Sequence, residues 1–508
     1  MQFDSPALVH EESTEAYFQE IATKIIGHDY SFEGLSGRKK MVYADWIASG
    51  RLYAPIEDLL VHQFGPLVGN THSESSHAGE AMTLAYKMAQ QIIKKHVNAN
   101  DQDIIITQGS GMTGAIAKLQ RILGLQLPDK AKKFYSQPAE ERPVIFLTHM
   151  EHHSNHTSWL ETIVDLEVIN QDEEGLVSLE HFDELLKKYA HRKLKIASVT
   201  ACSNVTGIET PYQQIAKKIH AVDGYCFVDF ACSGPYVKMD MHPKEEGAHL
   251  DAIFISPHKF LGGPGTPGIM VFNKKLYQNN VPDNPGGGTV YFTNPWNAHK
   301  YVESIEDRED GGTPPFLQGI RAALAFKLKE EMGTEAMAHR EHQIVLRVMN
   351  SLEKVEGLHI LAGQHKHRLG AISFTIDGIH FNLVVKLLND HFGIQVRGGC
   401  ACAGTYGHCL LNIDKPSSFK ILDRIHQGEI KARPGWIRLS LHPTMSDEDI
   451  ERIITSIQYV AEHKESLAKE YTYDAKKNIF VHNSGEGDLY EEHVLRGFYS
   501  DLHQSVTS

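Results

Sequence analysis

The chain has 508 residues, a formal net charge of −14 at pH 7 and six cysteines. Its length exceeds one ordinary hydrophobic core and predicts two domains, while the negative charge disfavours nucleic-acid binding as the main task. The sequence shows no apolar run long enough for a membrane span, no signal-peptide pattern and too few cysteines for a disulfide scaffold, which predicts a cytoplasmic protein without a membrane partner.

The first 40 residues are polar and form the first predicted unit, an N-terminal helical segment. Phe18, Ile21, Ile25 and Ile26 recur at helical spacing. This spacing gives the helix one apolar face, so we expect it to pack on the body of the protein.

Residues 41–316 alternate short apolar runs with helical patterns, which predicts a large α/β domain with a mostly parallel sheet. The strand candidates are residues 104–106, 144–147, 196–199, 226–228 and 253–255. Helical patterns lie between most of them, for example at residues 115–123 and 179–189.

The second half of the chain predicts a long helix and a smaller α+β domain, which together span residues 317–466. The helix covers about 317–354, and residues 371–376 and 393–396 are strand candidates. The polar residues 467–508 are predicted to form a C-terminal extension that is partly helical near 489–498.

The residues after each predicted strand matter most, because ligands of open α/β sheets bind at the carboxyl ends of the strands. Lys259 follows the strand at 253–255 and is flanked by Ser256, His258 and a glycine-rich run. An amine beside a hydroxyl, an imidazole and glycines suits an aldehyde cofactor that carries a phosphate, as pyridoxal phosphate does. A lysine after a strand is more often a solvated loop cation, so Lys259 alone does not establish a pyridoxal phosphate site.

Other strand ends offer groups that suit the same cofactor. Asp229 could keep a pyridine nitrogen protonated, and the loop with Ser110 and Gly111 opens a helix that could bind phosphate. His152 could stack on a flat ring and Asn204 could donate to a phenolic oxygen. Each has an ordinary alternative, such as a turn or a hydrogen-bonded histidine, but five strand ends together favour a pyridoxal phosphate site.

A glycine-rich loop in the second half carries Cys400 and Cys402. A thiolate on a small, flexible loop suits a nucleophile. Two alternatives stay open: the thiols are inert packing residues, or they bind a metal with His408 and Cys409. The Cys-x-Cys spacing lacks the Cys-x-x-Cys pairing of zinc sites, so no metal is predicted.

Arg438 lies in the strand-like run at residues 436–441. An inward-facing guanidinium needs a partner, and a substrate carboxylate would form a bidentate pair with it. A structural ion pair is the alternative.

Together these residues resemble the class V aminotransferase-like pyridoxal phosphate enzymes of fold type I, and within them the cysteine desulfurase and selenocysteine lyase group. The resemblance covers about residues 41–465. Its motifs are EHHSN at 151–155, SNVTG at 203–207, SPHK at 256–259, GGTP at 311–314 and RLS at 438–440.

The resemblance implies how the cofactor is held. Lys259 would form a Schiff base with it, Asp229 would pair with the ring nitrogen, His152 would stack on the ring, and Asn204 would lie near the phenolic oxygen or the substrate. Four residues would hold the phosphate: Ser110, Gly111, Ser256 and His258. Thr289 would reach the phosphate of the partner subunit in a homodimer.

The resemblance also implies a reaction. Arg438 would bind the substrate α-carboxylate, and Cys402 occupies the place of the desulfurase nucleophile, five residues after Arg397 and before Ala403. The implied activity converts L-cysteine to L-alanine with a persulfide on Cys402, or acts on selenocysteine, and a sulfur-acceptor protein would be a partner. The alternatives are an aminotransferase, an epimerase or a β-elimination lyase in which Cys402 is not the nucleophile, and a binding protein without turnover.

Three features depart from the family pattern. Cys232 stands where the family's Asp-x-Ala-Gln motif has glutamine. The stretch between Cys402 and Arg438 is longer than in the simple desulfurases. Cys400 and the C-terminal extension have no counterpart in the family.

Overall fold

A computed structural model describes residues 11–35, 37–71, 75–109, 111–136, 138–484, 494–495 and 497–499. Among these residues, none of the helices is both long and apolar enough to cross a lipid bilayer. The strands are β1 (Ser31–Gly34), β2 (Gly37–Lys40), β3 (Val42–Tyr43), β4 (Asp103–Gln108), β5 (Val144–Thr148), β6 (Asp165–Ile169), β7 (Lys195–Thr200), β8 (Tyr225–Asp229), β9 (Ala252–Ile255), β10 (Gly268–Asn273), β11 (Val290–Thr293), β12 (His299–Tyr301), β13 (Leu358–Ile360), β14 (Ala371–Ile376), β15 (Ile394–Gln395), β16 (Arg397–Gly399), β17 (Trp436–Ser440), β18 (Tyr471–Asp474) and β19 (Ile479–His482). The α-helices are α1 (Glu11–Ala22), α2 (Ala54–Asp58), α3 (His77–His96), α4 (Gly111–Ile122), α5 (Asp129–Lys132), α6 (His153–Leu160), α7 (Leu179–Lys188), α8 (Tyr212–His220), α9 (Ile305–Glu309), α10 (Phe316–Met332), α11 (Thr334–Leu352), α12 (Phe381–Phe392), α13 (Gly404–Leu410), α14 (Lys415–His426) and α15 (Asp447–Ala468).

The large sheet has the strand order β4-β10-β9-β8-β7-β5-β6. The strands from β9 to β6 are parallel, whereas β10 runs antiparallel to both β4 and β9. The predicted mostly parallel α/β sheet is confirmed, and the five strand candidates form β4, β5, β7, β8 and β9. Sequence reasoning missed β10, which follows β9 without an intervening α-helix, and the edge strand β6, whose charged and apolar residues alternate.

Both faces of this sheet are buried. Val144 and Phe146 of β5 belong to one apolar cluster, and Ile145 and Leu147 of the same strand belong to another. Because successive side chains of a strand point to opposite faces, the two clusters are the cores on the two sides of the sheet. Such two-sided burial explains why the central strands are continuous apolar runs.

The bridging helix is interrupted at Gly333. Helix α10 ends at Met332 and α11 begins at Thr334, while Gly333 has a φ of 74°. A residue with positive φ cannot continue a right-handed helix, so the predicted helical region at 317–354 consists of two helices.

The smaller sheet is antiparallel with the order β13-β14-β17-β16. The strand candidate at residues 371–376 is confirmed as β14. The candidate at 393–396 is reduced to the two residues of β15, which pair in parallel with β3 from the N-terminal part of the chain. The edge strand β16 leads directly into the loop that carries Cys400 and Cys402.

Both ends of the chain contain hairpins that the sequence did not predict. The N-terminal segment, predicted to be helical, holds the hairpin β1–β2 after α1. Beyond α15, the hairpin β18–β19 packs on α12, where Tyr471 donates to Asp390 Oδ2 at 2.9 Å and Asn382 Nδ2 donates to Asn478 O at 3.0 Å. The helix expected near 489–498 lies largely outside the described residues, and the bounds of the four predicted units stay predictions.

Gly268 provides a test of how closely β10 passes the start of α4. A Cβ atom at Gly268 would overlap the carbonyl oxygen of Gly111. We therefore expect Gly268→Ala to lower the free energy of unfolding by about 1–3 kcal/mol in urea denaturation. Gly287→Ala is the matched control, because its Cβ would meet no heavy atom within 4 Å. Equal midpoints for the two variants would contradict this packing.

Candidate active site

The carboxyl ends of β9, β8, β7 and β5 lie side by side, because these parallel strands are neighbours in the sheet. The chain segments that leave them line a cavity of about 200 Å³. It contains nine of the predicted site residues: Gly111, His152, Asn204, Asp229, Ser256, His258, Lys259, Cys402 and Arg438. The structure therefore brings residues from both halves of the chain to one place.

Two predicted residues are not part of this group. Ser110 lies outside the described residues. Thr289 is buried away from the cavity, where its hydroxyl donates to Gly286 O at 2.7 Å. The resemblance assigns Thr289 to the site of a partner subunit, so its role stays a prediction.

Lys259 ends the short 3-10 helix Pro257–Lys259 that follows β9. Burial lowers the pKa of its amine, and the neighbouring Cys232 and Asp229 oppose that effect. A lowered pKa leaves more of the amine uncharged, and only an uncharged amine attacks an aldehyde. Lys259 thus has the protonation behaviour that a cofactor-binding lysine needs.

Asp229 is the last residue of β8 and is buried. Burial raises the pKa of its carboxyl to about 6, although the N–H of Ala231 donates to Oδ1 at 2.8 Å. A carboxylate held in a poorly hydrated place gains strongly from a cationic partner. The protonated nitrogen of a pyridine ring would be such a partner.

His152 caps the N-terminus of α6, where its Nδ1 accepts from Ser154 N at 3.1 Å. Burial and, second, the charge of Lys259 lower the pKa of the imidazole to about 3. The ring is therefore uncharged at neutral pH, and a flat uncharged ring can stack on an aromatic cofactor.

Glu151 fixes the turn that carries His152. Its buried carboxylate accepts from Thr148 Oγ1 at 2.6 Å, from Asn155 Nδ2 at 2.7 Å and from Thr200 N at 2.9 Å. These bonds tie the end of β5 to the end of β7. The sequence motif contained Glu151, but no role could be assigned to it before its partners were known.

The start of α4 forms a cradle with the residues after β9. Met112 N donates to Ser256 Oγ at 2.9 Å, and a Cβ at Gly111 would lie 2.8 Å from His258 Cε1. Only glycine allows this approach, and it leaves the positive end of the helix beside a hydroxyl and an imidazole. Burial lowers the pKa of His258 to about 4, so the cradle offers hydrogen-bonding groups and a helix N-terminus, which together suit a phosphate.

Asp45 connects the two arginines of the cavity and was not anticipated from the sequence. Arg438 Nη2 donates to Asp45 Oδ1 at 2.8 Å, and Arg397 Nε donates to Asp45 Oδ2 at 3.1 Å. Arg438 Nη1 also donates to Asn204 O at 3.1 Å. The structural ion pair that the sequence left open for Arg438 is therefore present.

Two buried polar atoms at the cavity have no hydrogen-bond partner in the described structure: Arg438 Nε and Asn204 Oδ1. Buried polar groups are normally hydrogen-bonded. One unsatisfied donor and one unsatisfied acceptor, lining the same cavity, fit a ligand that carries both an anionic oxygen and a donor group.

The loop with Cys402 is held at the cavity by hydrogen bonds to Asn204 and His153. Asn204 Nδ2 donates to Ala401 O at 2.6 Å, and His153 N donates to Cys402 O at 2.7 Å. Gly404 N donates back to His153 Nε2 at 3.0 Å. These bonds fix the backbone of the loop, while the side chain of Cys402 stays exposed at the cavity.

Cys202 and Cys232 form a buried thiol pair in the same cavity wall. Both thiols donate to Ser203 O, Cys202 at 3.5 Å and Cys232 at 3.8 Å, and burial raises the pKa of Cys202. The residue at the family's glutamine position is thus a thiol in the cavity wall that Lys259 also lines.

Among the described residues, one cluster of three potential metal-ligand side chains was found, and it consists of His220, His249 and Asp251 rather than residues of the cysteine loop. The absence of a metal at the loop stays a prediction. Cys400 Sγ instead accepts from Arg433 Nη2 at 3.1 Å.

Comparison with known proteins agrees with this geometry. A family model described as aminotransferase class-V matches residues 42–453. A probable cysteine desulfurase of Staphylococcus aureus (strain COL) is 25% identical over 370 residues, which are 72% of this chain and 84% of that protein.

Two of the solved structures that match have lower identities and show the fold. An apo cysteine desulfurase of Thermococcus onnurineus NA1 has a TM-score of 0.68 and 21% identity, over 87% of this chain and 98% of that one. A cysteine desulfurase of Escherichia coli in an S-sulfonic acid form has a TM-score of 0.66 and 18% identity, over 90% and 99% of the two chains. The predicted fold, type I of the pyridoxal phosphate enzymes, is confirmed.

Asp229 should make the cofactor-free protein sensitive to pH. Its pKa is raised from an ordinary 3.8 to about 6, so the stability that its neutral form contributes is present below about pH 4 and is lost as the pH rises through 6. We expect Asp229→Asn to raise the free energy of unfolding at pH 7 by about 2–3 kcal/mol more than at pH 4. Urea denaturation of the cofactor-free proteins measures this difference. Asp101→Asn, at an exposed aspartate, is the control. An equal gain in the free energy of unfolding at pH 7 and pH 4 for Asp229→Asn, or the same pH dependence in Asp101→Asn, would contradict this prediction.

Proposed function

We propose a function for this chain from one premise: it belongs to the aminotransferase class-V family. Members of this family use pyridoxal phosphate, and the chain is a pyridoxal phosphate-dependent enzyme. The proposed reaction is that of a cysteine desulfurase, which takes L-cysteine, releases L-alanine and leaves the sulfur as a persulfide on Cys402. One observation carries the proposal: Cys402 and Lys259 line the same cavity.

The residues of the cavity fit the cofactor. When bound, pyridoxal phosphate supplies an aldehyde that combines with amines and a ring that withdraws electrons from the substrate Cα. Lys259 would hold the aldehyde, Asp229 would keep the proton on the ring nitrogen, and His152 would stack on the ring. Gly111, Ser256 and His258 would hold the phosphate at the start of α4.

Arg438 and Asn204 orient the substrate. Both residues line the cavity, and Arg438 Nε and Asn204 Oδ1 are buried without a hydrogen-bond partner among the described residues. The α-carboxylate of an amino acid accepts from the guanidinium, whose position Asp45 already fixes at 2.8 Å. Substrate binding therefore needs little reorganisation of this buried group.

Lys259 and Cys402 carry out the bond changes. Lys259 Nζ would take the proton from Cα of the substrate. The Cys402 thiolate would then attack the substrate sulfur, so that a sulfur–sulfur bond forms and the Cβ–S bond breaks. The electron pair of the broken bond stays on Cβ, which takes a proton and becomes the methyl group, and Lys259 returns a proton to Cα to complete alanine.

Three further features belong to the proposal and stay predictions: a homodimer in which Thr289 serves the partner's site, a sulfur-acceptor protein, and a cytoplasmic location. L-Selenocysteine is an alternative substrate, because selenium would occupy the same place as the substrate sulfur.

The reaction is tested by mixing the purified, cofactor-loaded protein with L-cysteine and a thiol reductant. We expect equimolar alanine and sulfide, and a loss of both by at least about 100-fold in Cys402→Ser, because a hydroxyl cannot take over the sulfur. Cys409→Ser is the matched control; Cys409 is a half-buried thiol in the next helix, and burial raises its pKa.

Other products would decide against a desulfurase. Pyruvate and sulfide without alanine would identify a β-elimination lyase, and conversion of the cofactor to its amine form would identify an aminotransferase. Alanine formation that survives Cys402→Ser would exclude Cys402 as the nucleophile.

A further inference from the structure

Cys400 and Cys402 are held together by a tight turn. Ala403 N donates to Cys400 O at 3.0 Å, which closes a four-residue turn. Its two central residues, Ala401 and Cys402, have φ values of 48° and 57°. Positive φ at both central positions defines a type I′ turn, which glycine and asparagine normally occupy. The chain thus keeps two unfavourable backbone conformations at the point where its exposed thiol lies.

The turn keeps the Cα atoms of Cys400 and Cys402 near each other. Two residues of extended chain span at most about 7 Å, and a turned chain spans less. Disulfide-bonded cysteines usually have Cα atoms roughly 4.4–6.8 Å apart. The backbone spacing is therefore compatible with the passage of a sulfur atom from Cys402 to Cys400.

The two thiols have different surroundings. Cys402 lines the cavity with Lys259, whereas Cys400 is half-buried and does not line it. Arg433 Nη2 donates to Cys400 Sγ at 3.1 Å. A guanidinium has only donors, so the sulfur of Cys400 is the acceptor of this hydrogen bond.

Arg433 belongs to the stretch between Cys402 and Arg438 that is longer than in simple desulfurases. It follows the 3-10 helix Ile430–Ala432. Within the described part of the chain its guanidinium has Cys400 Sγ as its hydrogen-bond acceptor and no carboxylate partner. The added segment and the added cysteine therefore meet in one contact.

We propose that Cys400 is a second sulfur carrier, which takes the terminal sulfur from the persulfide on Cys402; this inference rests on the proposed function. The Cys400 thiolate attacks the outer sulfur atom of the persulfide. A bond forms between that atom and Cys400 Sγ, and its bond to Cys402 Sγ breaks. Cys402 leaves as a thiolate and Cys400 becomes the persulfide, so no net oxidation or reduction occurs.

The transfer moves the sulfur from the cavity to the side of Arg433. Cys402 is regenerated as a thiolate next to Lys259 and can accept a second sulfur. The terminal sulfur, which is anionic as a persulfide, lies beside a guanidinium that stabilises it. An acceptor thiol would then approach Cys400 rather than the cavity.

A single turnover with mass spectrometry tests the transfer. The cofactor-loaded enzyme receives one equivalent of L-cysteine without reductant, is alkylated with iodoacetamide, and is digested so that fragment ions locate the trapped persulfide. We expect persulfide on Cys400 in the unmodified protein and on Cys402 alone in Cys400→Ser. Arg433→Gln should lower the share on Cys400 about tenfold, since a hydrogen bond to a charged group is lost.

Arg424→Gln is the matched control, because Arg424 lies in the same segment but pairs with Glu429 at 2.7 Å. It should leave the share on Cys400 as it is in the unmodified protein. Persulfide confined to Cys402 in the unmodified protein, a Cys400–Cys402 disulfide with released sulfide, or an unaltered share in Arg433→Gln would each overturn the transfer. If alanine is formed in these experiments, such results overturn the transfer to Cys400 alone. If no alanine is formed, the proposed function is overturned as well.

Discussion

Burial of Lys259 and Asp229 at the ends of the neighbouring strands β9 and β8 is the constraint on which the site depends. Exclusion of water disfavours the charged form of each group, so the pKa of the amine falls and that of the carboxyl rises to about 6. Such a pair costs stability in the protein alone, and it would become favourable if Lys259 bound an aldehyde and Asp229 paired with a cationic ring nitrogen. The parallel order of the strands that buries the pair also places His152 and Asn204 at the same edge of the sheet.

The cavity is completed by residues that are far apart in the sequence. Asp45 comes before the large sheet, yet its two oxygens accept from Arg438 of β17 and Arg397 of β16. Asn204, which follows β7, holds the cysteine loop through Ala401 O. The two arginines of the cavity are therefore fixed where the segment that contains Asp45, the large sheet and the small sheet meet, and a shift of any one of these units would move the guanidinium of Arg438 relative to Lys259.

The sequence allowed the large sheet and most of the site to be predicted, for a physical reason. Strands buried on both faces are apolar runs, and functional groups of such sheets follow the strand ends, so Lys259, Asp229, His152 and Asn204 could be found by position. Contacts between residues far apart in the chain have no comparable pattern in the sequence. Asp45 could not be assigned to Arg438, because the two are joined only by the packing of the small sheet on the body. The break at Gly333, the strand β10 and the hairpin β18–β19 depend in the same way on backbone conformation and tertiary packing.

The central claim is that Lys259 holds the cofactor covalently in the cavity that also contains Cys402. The most direct measurement is reduction of the purified, cofactor-loaded protein with borohydride, followed by peptide mass spectrometry. The account predicts a pyridoxyl phosphate group on Lys259 and no covalent attachment in Lys259→Ala. A stable adduct on a different lysine, or none on the unmodified protein after loading, would contradict it.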